Sequence, residues 1–110
     1  MERDYKLFIQ DIKESIEIIK KYVAGMSEDD FKKDMQVQDA VIRRLEIIGE
    51  ASRKIPRAVK QKNNEIAWED IINYRDFIVH SYFLASLKRV WNVISELDDL
   101  KNKIDKIRLL

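Results

Sequence analysis

The chain has no cysteine, one proline, two glycines and one histidine among its 110 residues. Without cysteine there is neither a disulfide nor a thiolate metal site. A lone histidine rules out a pair of imidazoles holding a metal within one copy. There is no glycine-rich phosphate loop. So little glycine and proline leaves few places where a helix must stop. No apolar run approaches the roughly 20 residues that cross a bilayer. The opening Met1-Glu2-Arg3-Asp4 is too charged for the apolar region of a signal peptide. The expectation is a cytoplasmic protein without membrane contact. Neither sign of charge dominates, with 21 basic against 20 acidic residues and a net charge of +1. Overall electropositivity therefore gives no sign of nucleic-acid binding, and any basic surface must be gathered locally by the fold.

What the chain has in quantity is charge interleaved with aliphatics: 37% of residues are Asp, Glu, Lys or Arg, as long amphipathic helices require. Its length predicts one domain, residues 1–110. A first helix is expected over Arg3–Ala24, where Tyr5, Phe8, Ile9, Ile12, Ile16, Ile19 and Val23 recur at spacings of three and four. Gly25 is its natural stop. Ser27 and Asp30 fit a capping box opening a short turn of helix that carries Phe31. A second long helix spans Asp34–Ile55 on Val37, Ala40, Val41, Leu45, Ile48, Ala51 and Ile55. Gly49 lies inside it, at a cost of about 1 kcal/mol relative to alanine, which suggests a neighbouring helix passing close by. Pro56 ends that helix and starts a short one, Arg57–Lys62. Asn63-Asn64 marks a turn. A third major helix is expected over Trp68–His80 on Trp68, Ile71, Ile72, Ile78 and Val79. The last is expected from a cap at Ser86 to Ile107, on Leu87, Val90, Trp91, Ile94, Leu97, Leu100, Ile104 and Ile107. Together these predict an all-α, up-and-down four-helix bundle with short extra helices.

Three residues close together break the apolar pattern. Arg75 lies beside or within the stripe of the third major helix, where a permanently charged guanidinium needs a partner or an open cleft. Its stem can also pack at the stripe's edge with the head in water. His80, the single histidine, sits among Phe77, Val79, Tyr82 and Phe83. Read alone it fits a structural role, yet it is the one side chain with an ordinary pKa of about 6.5, suited to proton transfer. Tyr82 fits a half-buried aromatic at a helix end. Glu28-Asp29-Asp30 and Asp98-Asp99 read as solvated charge runs with no ligand-cage spacing. Arg43, Arg44, Arg53, Lys54 and Arg57 form a basic run that fits either a phosphate-facing patch or, more ordinarily, a wet surface.

Arg75-Asp76-Phe77-Ile78-Val79-His80-Ser81-Tyr82 resembles the arginine, four residues, histidine, any residue, tyrosine pattern of the HepT branch of HEPN proteins. Gln38 to Ala51 resembles that family's second-helix signature. Ile66 to Ile71 resembles the lead into its catalytic helix, and Val90-Trp91 a position in its last helix. The resemblance runs along nearly the whole chain, in order. Two residues depart from the family pattern: Asp76, often asparagine there, and Ser81, commonly glycine. The carboxylate of Asp76 can pair with Arg75 and support the site, or repel RNA phosphate.

The resemblance implies a metal-independent endoribonuclease without cofactor, the toxin of a type VII toxin–antitoxin system. Arg75 and His80 would be catalytic. The partner would be an MntA-type minimal nucleotidyltransferase antitoxin that transfers AMP to Tyr82. Cleavage by the neighbouring 2′-hydroxyl needs a base, an acid and positive charge on the phosphorane. One chain supplies one imidazole. A two-fold homodimer would bring two Arg75 and two His80 to one cleft, and residues five apart on a straight helix diverge by roughly 140°. The alternative is a non-catalytic helical module binding nucleotide or substrate for the nucleotidyltransferase, which Asp76 and the near-neutral charge fit.

Overall fold

The computed structural model describes residues 4–74 and 84–110, with side chains described over 4–74 and 87–110. The described residues form six helices: α1 (Tyr5–Tyr22), α2 (Glu28–Lys32), α3 (Met35–Arg53), α4 (Arg57–Lys62), α5 (Trp68–Ile72) and α6 (Leu84–Asp105). The architecture is all-α.

The helix ends follow from short polar side chains. Asp4 caps α1 by accepting from the Lys6 N–H, and Asp34 caps α3 by accepting from the Val37 N–H at 3.0 Å. Both oxygens satisfy amides that a helix start leaves without partners. Ser27 and Asp30 form the expected reciprocal box, at 3.1 Å for Asp30 N–H to Ser27 Oγ and 3.0 Å for Ser27 N–H to Asp30 Oδ2. Gly25, at φ +76°, takes the left-handed turn after α1, a conformation that costs glycine little. Pro56 stands as the N-cap of α4, whose bounds match the expected ones.

The apolar stripes close into one core. Ile12, Ile16, Ile19, Val41, Leu45, Ile48, Leu97 and Ile104 are fully buried, and each such aliphatic contributes about 1.5–3 kcal/mol of transfer free energy. Helix α1 packs on α3 and on α6, while α2 bridges α3 and α6. The Phe31 and Trp91 rings meet at 5.4 Å, tilted by 37°. Lys13, Glu17 and Lys20 of α1 pair with Asp105, Lys101 and Asp98 of α6. One series ascends as the other descends, so the two helices are antiparallel. Lys54, just past α3, lies 5.5 Å over the Phe8 ring near the start of α1, so α1 and α3 are antiparallel too. These surface pairs set register more than stability, because water screens them.

Two expected elements require correction. The third major helix does not run unbroken from Trp68: α5 ends at Ile72, and Asn73 is its C-cap, with its N–H bonding Glu69 O and Ile71 O. Asparagine competes with helix through local hydrogen bonding and favours such ends. The remainder of that stretch, Arg75–His80 with Ile78 and Val79, lies outside the described residues. The last helix begins at Leu84 rather than after a cap at Ser86, so Ser86 falls inside α6, and it ends at Asp105 rather than Ile107.

Candidate functional site

Arg75, Asp76, His80, Ser81 and Tyr82 lie outside the described residues, which run to Tyr74 on one side and resume at Leu84 on the other. The structure fixes the approach to that segment. Helix α5 and Tyr74 immediately precede it in sequence, and three features hold this stretch in place.

The first is Gly49. A Cβ added there would sit 3.1 Å from the Ile71 carbonyl oxygen and 3.4 Å from that of Ile72. With any Cβ there, the backbone of α5 would have to give by a few tenths of an ångström. The close neighbour expected from an interior glycine is therefore α5 itself, four residues before Arg75.

The second is Asn63, fully buried at the end of α4. Its Nδ2 donates to Val59 O and Arg108 O, both at 2.8 Å, and its Oδ1 accepts from the Arg108 N–H at 2.7 Å. Its carbonyl accepts from Trp68 Nε1 at 3.1 Å. One side chain thus ties α4 to the segment after α6, while its backbone anchors the first residue of α5. A buried amide this fully satisfied rigidifies what it joins. The sequence marks Asn63 only as a turn residue; nothing in an Asn-Asn pair distinguishes a surface turn from a buried node.

The third is Tyr74, buried at 7% exposure. Burial pushes its phenol up to about 12, and the carboxylates of Glu96 and Asp70 add to the effect. The hydroxyl stays protonated at neutral pH. Its neighbour in sequence, Arg75, thus follows an anchored neutral residue.

Beside α5 lies a groove of about 470 Å³, walled on one side by Arg57, Lys60, Gln61 and Asn64 and on the other by Trp68, Glu69 and Asp70. Burial lowers the pKa of Lys60 against the opposing pull of Glu69, and its Nζ donates to Arg53 O at 3.3 Å. A second groove, about 380 Å³ between α1 and α3, mixes Asp11, Glu46 and Glu50 with Arg43 and Lys54. The acidic runs have local partners: Asp30 in the capping box, Glu28 with Lys32 and Lys88, Asp98 with Lys20, Asp99 with Lys103. Among the described residues no three His, Cys, Asp or Glu side chains gather where they could hold a metal ion, and no helix is long and apolar enough to cross a membrane.

A family model described as ribonuclease HepT-like matches residues 12–107. A probable ribonuclease HepT of Thermococcus cleftensis is 39% identical over 109 residues, covering 98% of this chain and 99% of that protein. A Methanocaldococcus jannaschii protein named gamma-glutamylcyclotransferase and putative RNase is 41% identical over 108 residues, 97% of this chain and 49% of that protein. The chain thus spans about half of the latter and nearly all of the former. A putative RNase of Caldanaerobacter subterraneus is 31% identical over 101 residues, 91% of this chain and 90% of that protein. No solved structure matches.

Proposed function

The chain belongs to the HepT-like ribonuclease family, and from that membership we propose that it is a metal-independent endoribonuclease, the toxin of a toxin–antitoxin pair. The observation that carries the reading is the Arg75–Tyr82 motif standing, in order, within a match that covers almost the whole chain.

The chemistry fits these side chains. A base takes the proton of the 2′-hydroxyl as its oxygen bonds phosphorus. The bond from phosphorus to the 5′-oxygen then breaks, and an acid protonates that oxygen. The products are a 2′,3′-cyclic phosphate and a 5′-hydroxyl. Arg75 spreads fixed positive charge against the equatorial oxygens of the phosphorane. His80 moves the protons, and a homodimer provides a second imidazole so that base and acid are separate groups. In this reading Asp76, next to Arg75 in sequence, would pair with the guanidinium and support the site. The whole chain 1–110 acts as one domain in this reading, in the cytoplasm where its RNA is.

Regulation follows from Tyr82. A minimal nucleotidyltransferase partner joins its hydroxyl to the α-phosphorus of ATP and releases pyrophosphate. The added phosphate and base crowd the site and compete with RNA for Arg75. Incubation of this chain with its partner enzyme and ATP is expected to add mass in steps of about 329 Da, the AMP increment of a charge-changing modification. Intact-mass spectrometry checks it. An increment that persists in Tyr82→Phe, or none in the wild type, overturns the assignment. Asp76 favours one rival, a non-catalytic partner of the transferase. Growth separates the two, because only the ribonuclease arrests cells when expressed alone and is relieved by Arg75→Ala.

A further inference from the structure

From Ala51 to Asn64 the chain carries five cations, Arg53, Lys54, Arg57, Lys60 and Lys62, and no carboxylate. The fold gathers them where α3 ends and α4 turns, on a protein whose net charge is only +1. Among the described residues, Glu50 is the one carboxylate within ion-pair distance of these five cations. Glu50 is shared by Arg53 at 3.2 Å and Lys54 at 3.8 Å, so one carboxylate answers two cations. Arg57 is exposed and bonds no other described residue. Lys60 rests its ammonium on the Arg53 carbonyl at 3.3 Å, partly desolvated, with Glu69 acting on it from α5.

Other surfaces differ. The α1–α6 seam is laced pairwise, and the α1–α3 groove mixes both signs. Arg57 and Lys60 also line the groove against α5, whose opposite wall carries Glu69 and Asp70. Those carboxylates would confine an anion to the α4 wall. Asp70 precedes Arg75 by five residues, and five residues of chain reach at most about 18 Å. The groove is therefore tethered within that reach of Arg75, the first residue of the motif, whatever path the chain takes between.

Resting on the ribonuclease reading above, we propose that Arg53, Arg57 and Lys60 form a phosphate-binding track that holds single-stranded RNA beside the motif. The contacts are to backbone phosphates, so they carry affinity and salt dependence but no base preference. The track answers the requirement that a near-neutral chain gather its basic groups locally.

The test uses the full chain carrying His80→Ala, to prevent cleavage, and a fluorescein-labelled oligouridine. Binding is read by anisotropy across a salt series. Each lost phosphate contact on a single strand lowers the magnitude of the slope of log K against log salt by about 0.7. The triple Arg53→Gln, Arg57→Gln, Lys60→Gln should therefore lose about 2 from that slope, with affinity at low salt down roughly tenfold or more. The control triple Lys13→Gln, Lys20→Gln, Lys103→Gln removes the same net charge from the α1–α6 side and should keep the slope. Thermal melts by circular dichroism confirm that both triples fold. An unchanged slope in the first triple overturns the track, as does an equal loss in the control. Loss of modification by the nucleotidyltransferase with RNA binding intact also overturns it, marking the patch as a protein contact instead. If the patch triple binds normally while the otherwise wild-type chain still cleaves RNA, only the track falls. If the wild-type chain neither binds nor cleaves, the ribonuclease reading falls with it.

Discussion

Alanine in place of His80 is expected to lower RNA cleavage by about 10²–10⁴-fold, the usual worth of a positioned proton-transfer group. Alanine in place of Arg75 is expected to lower it by about 10²–10³-fold, as removal of one preorganised donor to a developing oxyanion does. The two substitutions act on different parts of the same step. In the proposed mechanism the arginine would stabilise charge that exists only at the phosphorane, so its loss should fall on the maximal rate more than on substrate affinity. Lysine at position 75 keeps the charge but loses the planar fork that matches two phosphate oxygens, and should recover only part of the activity. Single-turnover cleavage of a labelled RNA measures all three. Full activity in His80→Ala would remove the histidine from the mechanism. Because the chain has one histidine, no other imidazole within it can stand in.

Valine in place of Gly49 is expected to destabilise the fold by about 2–3 kcal/mol, the upper range for overpacking a closed interface. For a domain of this size that corresponds to a fall in Tm of roughly 10 °C or more. The Cβ alone meets the Ile71 carbonyl oxygen at 3.1 Å, and a backbone carbonyl held in α5 cannot swing aside as a side-chain end can. Two further methyl groups must push α5 off α3. Alanine is the discriminating variant. It gains about 1 kcal/mol of helix propensity, which the same contact opposes, so its net effect should be far smaller than that of valine. Thermal and urea melts of the two variants check this. A valine variant as stable as the wild type would mean that α5 does not approach α3 this closely. Since α5 leads into Arg75, the surviving folded fraction should also cleave RNA more slowly.

How far the sequence could be read depends on what kind of force decides each feature. Local chemistry was legible. The Ser27–Asp30 box and the short helix after Pro56 each depend on a few adjacent residues and stand where the pattern puts them; α1 stops at Tyr22, two residues short of the expected Ala24, and Gly25 takes the left-handed turn beyond it. The stripes of α1 and α3 were legible because a period of 3.6 survives in the burial: Ile9, Ile12, Ile16 and Ile19 on one, Val41, Leu45, Ile48 and Ala51 on the other. Gly49 announced a close packing partner but not which one.

Features set by distant partners were not legible. Asn63 is a turn residue in sequence and a buried node in the fold, because its partners at Arg108 lie 45 positions away. Asn73 ends α5 inside a run whose apolar spacing continues past it. Val59 and Ile66 join the core from segments too short to show a period. The basic run was visible, but its division was not: Arg43 pairs with Glu46 and Arg53 with Glu50, while Arg57 pairs with no other described residue. The motif residues Arg75, Asp76, His80 and Tyr82 rest on the sequence alone, and the described structure stops just before them, at Tyr74.

The most direct measurement takes the unmodified wild-type chain, one RNA oligonucleotide of defined sequence, and a buffer with excess EDTA, followed by mass analysis of the fragment ends. Fragments ending in a 2′,3′-cyclic phosphate, paired with fragments beginning in a 5′-hydroxyl, are the predicted result. Intact RNA, or 3′-hydroxyl and 5′-phosphate ends produced only when a divalent ion is restored, would contradict it.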